Sequence, residues 1–272
     1  LLAPVLILPG QTTPSVSGQS ADALIVMTGS GVRGDAPMPT TAEATGSSLP
    51  VLSAVGVNAG DILLMVNERL GGRPCMVTQV NDSYASDTKP IDLTGAAYTQ
   101  NNIDSTPLAS YGSSSWVVNL GAQPQIMLFG VGPNNTLFSY DLLQLTDGPQ
   151  AVEVADGVFE LKALYGISTD TDNDGKFDTM EWVAPTDTRF NLAAMAKDPS
   201  LMGRITAIRI GLILRTSLPE KTAVTSGPLT LFSGLSNAAN LSLSYSRSLS
   251  TAEKVYRYRT LEVTVPVRNN LL

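Results

Sequence analysis

Residues 159–181 read Phe159-Glu160-Leu161-Lys162-Ala163-Leu164-Tyr165-Gly166-Ile167, then Ser168-Thr169, then Asp170-Thr171-Asp172-Asn173-Asp174-Gly175-Lys176-Phe177-Asp178-Thr179-Met180-Glu181. The first part decides the fold class. Phe159, Leu161, Ala163, Tyr165 and Ile167 alternate with Glu160, Lys162, Leu164 and Gly166, a period of two that predicts a β-strand. Downstream, Trp182-Val183-Ala184 meets Pro185 within four residues of Glu181, too soon for a helix to form. The acidic run therefore links or caps strands.

That run matches the calcium-loop template D-x-[DN]-x-[DN]-G-x5-E at every specified position. In that template Asp170, Asp172 and Asp174 supply oxygens at positions 1, 3 and 5. Gly175 makes the sharp turn, the Lys176 carbonyl sits at position 7 and Asp178 at position 9, and Glu181 closes the sphere with both oxygens. Five carboxylates in twelve residues, opposed only by Lys176, repel one another. At ~4 Å in an intermediate dielectric each like-charge contact costs on the order of a few kcal/mol unless a cation or water screens it. The competing reading is a solvated acidic turn. An EF-hand needs a helix on each side, and neither flank provides one. The expected cofactor is calcium, and its expected job is to rigidify a β-rich surface rather than to open and close a helix pair.

Composition narrows the function classes. The chain has 272 residues, enough for one large β domain or two smaller ones with a substantial core. A formal charge of −7 without clustered Lys and Arg argues against nucleic acid as a partner. Histidine is absent, which removes Ser-His-Asp and Cys-His nucleophiles and most catalytic zinc designs. The single cysteine, Cys75, excludes an internal disulfide and leaves either a buried thiol or a partner outside this chain. Leu1–Leu8 is apolar but far too short to span a bilayer, and Pro4 and Pro9 interrupt it. The chain is expected to be an N-terminally truncated or processed product.

Elsewhere the pattern is again β. Strands are predicted over Ala23–Thr28, Asp61–Val66, Met76–Val80, Trp116–Asn119, Gln125–Val131, Thr136–Gln144, Val152–Ile167 and Ile205–Leu214. A last strand has Val255, Arg257, Arg259, Leu261, Val263 and Val265 alternating with Tyr256, Tyr258, Thr260, Glu262 and Thr264, and Pro266 places its end or an edge there. A short helix is expected around Phe190–Met195 and Pro199–Leu201. Residues 81–115 read as an irregular loop or insertion within a single 1–272 domain.

Other motifs carry less. Gly29-Ser30-Gly31-Val32-Arg33-Gly34 follows a strand, but Pro37 and Pro39 deny it the helix a dinucleotide site requires. Arg33-Gly34-Asp35 reads as a flexible turn rather than an adhesive tripeptide. Trp116, Trp182, Tyr256 and Tyr258 read as core and edge-strand residues rather than a sugar platform.

In order along the chain, several segments resemble the PilW family of type IV pilus minor pilins. They are Ser20–Val26, Gly60–Val66, Asp156–Gly166 running into Asp170–Gly175, Ile205–Ile210 with Leu214–Thr216, and Arg257–Asn269. The resemblance implies a mainly β fold, α+β in the intact protein, of pilin-like antiparallel sheets with long loops, its N-terminal hydrophobic helix absent here. It implies a structural, non-enzymatic subunit that helps prime pilus assembly at the inner membrane facing the periplasm, then sits at the pilus tip. Partners would be other minor pilins, a tip adhesin, and the inner membrane through the missing helix. If the missing region carries a cysteine, Cys75 is expected to pair with it. The rival is a calcium-stabilised, carbohydrate-binding or glycoside-hydrolase-like exported β domain.

Overall fold

A computed structural model describes residues 4–11, 21–29, 37–45, 47–67, 76–93, 115–142, 151–169 and 178–267. The first strands are β1 (Val5–Gln11), β2 (Ala21–Thr28), β3 (Met38–Pro39), β4 (Ser48–Leu49), β5 (Ile62–Asn67) and β6 (Met76–Gln79). Then come β7 (Ile91–Asp92), β8 (Ser115–Gly121), β9 (Gln125–Val131), β10 (Leu137–Asp141), β11 (Val152–Ala155) and β12 (Val158–Thr169). The chain ends with β13 (Thr179–Val183), α1 (Leu192–Lys197), β14 (Ile205–Arg215), β15 (Leu229–Leu231), β16 (Tyr245–Arg247) and β17 (Tyr258–Pro266). The fold is mainly β with antiparallel pairing, as the alternation predicts. Contacts divide the chain into two compact units, Met27–Gln125 and a second made of Ala3–Val26 with Ile126–Leu272.

The Met27–Gln125 unit holds a four-stranded sheet of order β3-β8-β5-β6 and the pair β4-β7. Its core is Leu49, Val57, Leu63, Met65, Met76, Val80, Ile91 and Val117. Residues 81–93 are turns around the two-residue β7, and the rest of the expected irregular stretch, 94–114, lies outside the described residues. So do Cys75 and the segment 30–36, which carries most of the glycine motif and all of Arg33–Asp35.

The other unit has two main sheets, of order β1-β2-β9-β10-β11 and β13-β12-β14-β17. Their shared core takes Val5, Ile7, Leu24 and Val131 from the first sheet and Leu161, Ala163, Tyr165, Ile167, Val183 and Ile208 from the second. Phe190 and Met195 close it from the α1 side. Helix α1 begins where the Asn191 side chain accepts from the Ala194 N–H at 2.8 Å, an N-cap that satisfies one of the free donors of the first turn. The opposite face of the second sheet buries Leu164 and Ile213 under Leu231 and Phe232, so strand β12 is covered on both sides.

Two details differ from simple alternation. Val152–Ile167 is two strands rather than one, because Gly157 turns the chain at φ +75 and approaches the Arg215 carbonyl so closely that a Cβ there would lie 2.7 Å from its oxygen. A register shift between Val158 and Glu160 then adds a residue to β12. That bulge turns Phe159 away from Leu161 and into the second core, against Tyr258 at 5.2 Å between ring centroids.

Candidate functional site

The acidic run connects the two strands of a β-hairpin in the chain. Strands β12 and β13 pair antiparallel from Tyr165↔Val183 to Thr169↔Thr179, and the Asp178 N–H donates to the Thr169 carbonyl at 3.0 Å. The run therefore connects two strands, as its flanks predict. Of the six expected ligand residues, Asp178 and Glu181 are described; Asp170, Asp172, Asp174 and Lys176 lie outside the described residues.

Glu181 is already engaged. Its Oε1 accepts from Arg189 Nη1 at 2.8 Å and its Oε2 from Arg189 Nη2 at 3.4 Å and from the Ala238 N–H at 3.1 Å. Asp187 grips the same guanidinium, accepting from Nη2 at 2.8 Å and Nε at 3.1 Å. The hydrogen bonds from Arg189 hold the Asp187 carboxyl below the usual carboxylate range. Arg189 is pushed up by the same bonds to Asp187 and Glu181. The donor chemistry of the loop fits calcium, but the position-12 carboxylate shares its oxygens with an arginine. Among the described residues no three His, Cys, Asp or Glu side chains converge into a metal site.

A second polar cluster lies where β2, β12 and β16 meet. Asp22 Oδ1 accepts from the Gly10 N–H at 3.0 Å and lies 3.3 Å from Lys162 Nζ, while Oδ2 accepts from the Ala163 N–H at 3.0 Å. Ala163 lies beyond the end of β13, so this carboxylate takes a backbone donor that no neighbouring strand takes. Lys162 is also 3.7 Å from Glu160, and Arg247 Nε stands 3.8 Å from the same carboxylate. Arg247 pairs with Glu253 at 2.7 Å and donates to the Ser248 carbonyl. Burial pushes the Glu160 carboxyl up, against the pull of Lys162 and Arg247. A cavity of about 410 Å³ opens beside this cluster, with Asp22, Lys162, Tyr245 and Phe232 on its wall.

The third feature is β17. It closes one edge of its sheet, and among the described residues it pairs with β14 alone. Its side chains Leu261, Val263 and Val265 are 47%, 45% and 40% exposed. They lie opposite Leu212, Ile210 and Ile208 of β14, so an apolar row runs outward from the core to the edge.

The family model for Type IV Pilus-assembly protein W, PilW, matches residues 127–269. This chain belongs to the PilW family. The match covers more than half of the 272 residues and falls on the unit that carries the hairpin, the charged cluster and the β17 edge. Membership ties the protein to type IV pilus assembly and hence to the cell envelope and its pili. No curated protein and no solved structure matches the chain. Among the described residues no helix is long and apolar enough to cross a membrane. Reasoning from sequence missed Asp22, Glu160, Lys162 and Arg247 as a group; Glu160 and Lys162 lie two residues apart on β12, but Asp22 and Arg247 come from distant points of the chain.

Proposed function

We propose that this PilW-family chain is a structural, non-catalytic minor pilin subunit that helps prime type IV pilus assembly and resides at the pilus tip. In this reading a hydrophobic N-terminal helix of the kind the family carries holds it at the inner membrane, with its β-rich part in the periplasm. Its partners are other minor pilins and a tip adhesin, and a calcium ion at residues 170–181 stiffens the β12–β13 hairpin. The observation that carries the reading is the family match over residues 127–269. The exposed apolar edge of β17 supports it, because a subunit without catalytic work acts through its surfaces. The test is co-expression of the full-length protein with the other minor pilins of the same system, followed by detergent extraction and co-purification. Association with at least one of them, together with loss of surface pili when the gene is deleted, is expected. A full-length protein that binds none of them and whose deletion leaves piliation intact refutes the reading.

A further inference from the structure

The backbone of β17 has one bonded side and one open side, and the register tells which residues own each. Thr216 N–H donates to the Arg257 carbonyl at 3.0 Å, and Val267 N–H donates to the Thr206 carbonyl at 2.8 Å, both across to β14. No register shift intervenes between Arg215↔Tyr258 and Ala207↔Pro266. Backbone groups alternate sides along a strand, so Arg259, Leu261, Val263 and Val265 point their N–H and C=O at β14. Tyr258, Thr260, Glu262 and Thr264 point theirs outward. Among the described residues no main-chain hydrogen bond of these four runs to a further strand.

Edge strands are ordinarily protected by a bulge, an inward charge, a proline, or a covering segment. The opposite edge, β13, has such cover, since Arg189 and the Ala238 N–H cross to Glu181. Strand β17 has little. It runs nine residues without a bulge, and Pro266 stands only at its end. Its one acid, Glu262, is held by Arg209 of the neighbouring β14 at 2.8 Å and by the Phe232 N–H, from the segment that follows β15, at 2.7 Å.

We infer that β17 is an acceptor edge, onto which a partner subunit of the pilus-assembly machinery adds a β-strand. The inference deepens the proposed function and rests on it. The donor is a strand with aliphatic side chains at alternate positions, to extend the row Leu261, Val263, Val265, and a carboxylate where it passes the exposed Arg259. Main-chain bonds to Tyr258, Thr260, Glu262 and Thr264 supply affinity, and the side-chain row supplies choice. A second copy of this chain is a poorer occupant. Antiparallel β17–β17 pairing over the full strand sets Glu262 against Glu262, and each copy brings a charge of −7.

Proline tests the edge selectively. Thr264→Pro removes an outward N–H and leaves the β14 ladder its donors, a substitution that edge strands tolerate. Val263→Lys keeps the backbone and breaks the apolar row. Each is placed in the full-length protein and co-expressed with the other minor pilins; Met180→Ser, on the β13 edge, is the control. Both β17 variants are expected to melt near the wild type yet lose about tenfold or more in partner affinity, while the control binds normally. If wild type and both variants bind equally, strand addition at β17 is wrong and the minor-pilin reading still stands. If the wild type binds none of the subunits, the minor-pilin reading itself falls. Should Thr264→Pro instead abolish a homodimer, the occupant is a second copy and the choice of partner is wrong. If Thr264→Pro fails to fold, Val263→Lys alone decides between these outcomes.

Discussion

The Tyr165 hydroxyl oxygen accepts the Ile7 N–H at 2.6 Å, joining two residues 158 positions apart across the interface of the two main sheets. Both residues are fully buried. Ile7 lies on β1, an edge strand among the described residues, and the phenol supplies a partner for its main-chain donor.

Tyr165→Phe keeps the ring and deletes only this acceptor. The Ile7 N–H is then buried unpaired, and a loss of about 1–3 kcal/mol in unfolding free energy is expected. Alkaline pH gives a second readout. Burial pushes the Tyr165 phenol up from 10 to about 12. Below pH 10 both folded and unfolded states are protonated and the contribution is whole. Between pH 10 and about 12 the unfolded state ionises first, so stability falls as pH rises. The Phe variant lacks that component, so urea melts across this range should show the two proteins converging. A constant gap from pH 8 to pH 12 contradicts the account.

Asp22 is the second long-range fastener, holding Gly10, Lys162 and Ala163 through one carboxylate. Its side chain is 6% exposed and that of Lys162 is 14% exposed, so removal leaves the buried Ala163 N–H without its acceptor and takes one partner from Lys162, which keeps Glu160 at 3.7 Å. Asp22→Ala is expected to destabilise by about 1–3 kcal/mol, the cost of a buried main-chain donor left unpaired. Chemical denaturation measures this directly. A change under about 1 kcal/mol, within the range of a surface pair, contradicts the fastener role.

These two fasteners mark the limit of what the sequence shows. Strands β12, β14 and β17 were legible because each alternates over nine or more residues, long enough for the period of two to stand out. The hairpin connection at the acidic run was legible from Pro185, which stops a helix. Strand β1 was not: Pro9 made Leu1–Leu8 look like an interrupted apolar run, yet an edge strand admits proline where no ladder bond is needed. Strands β15 and β16 are three residues each, too short to carry a period. The bulge beside Phe159 and the Asp22–Lys162–Glu160 cluster depend on partners far away in the chain, and local pattern holds no trace of them.

Glu160 is nearly fully buried, and burial raises its carboxyl above the ordinary 4.5 despite Lys162 and Arg247. Below pH 4.5 both states are protonated and the full stability is present. As pH rises through the folded value, the unfolded chain has already ionised while the folded chain resists, so stability is lost. Glu160→Gln removes the group that titrates, and Lys162 keeps Asp22 while Arg247 keeps Glu253. The variant should therefore gain on the wild type as pH rises from 4.5 toward neutrality. Thermal melts at pH 4 and pH 7 decide it. If the variant instead falls behind at pH 7, the ion pairs outweigh burial and the assignment is reversed.

At the proposed calcium site, the ion and Arg189 would compete for the Glu181 carboxylate. In the structure Glu181 holds Arg189 with both oxygens, whereas position 12 of a calcium loop gives both oxygens to the metal. Binding to the folded state alone stabilises by about 2.7 kcal/mol at a hundredfold excess over Kd. The wild type is accordingly expected to melt higher in calcium than in chelator, and Asp174→Ala should erase the difference. Competition adds a sharper expectation. Arg189→Ala releases Glu181, so it should lower stability in chelator through the lost pair with Asp187, yet bind calcium more tightly than the wild type. Calorimetric titration of both proteins at low ionic strength separates the two effects. Equal calcium affinity in wild type and Arg189→Ala means that Glu181 is no ligand and serves the hairpin only as the partner of Arg189. No heat and no shift in melting in either protein means that the acidic run is a solvated turn.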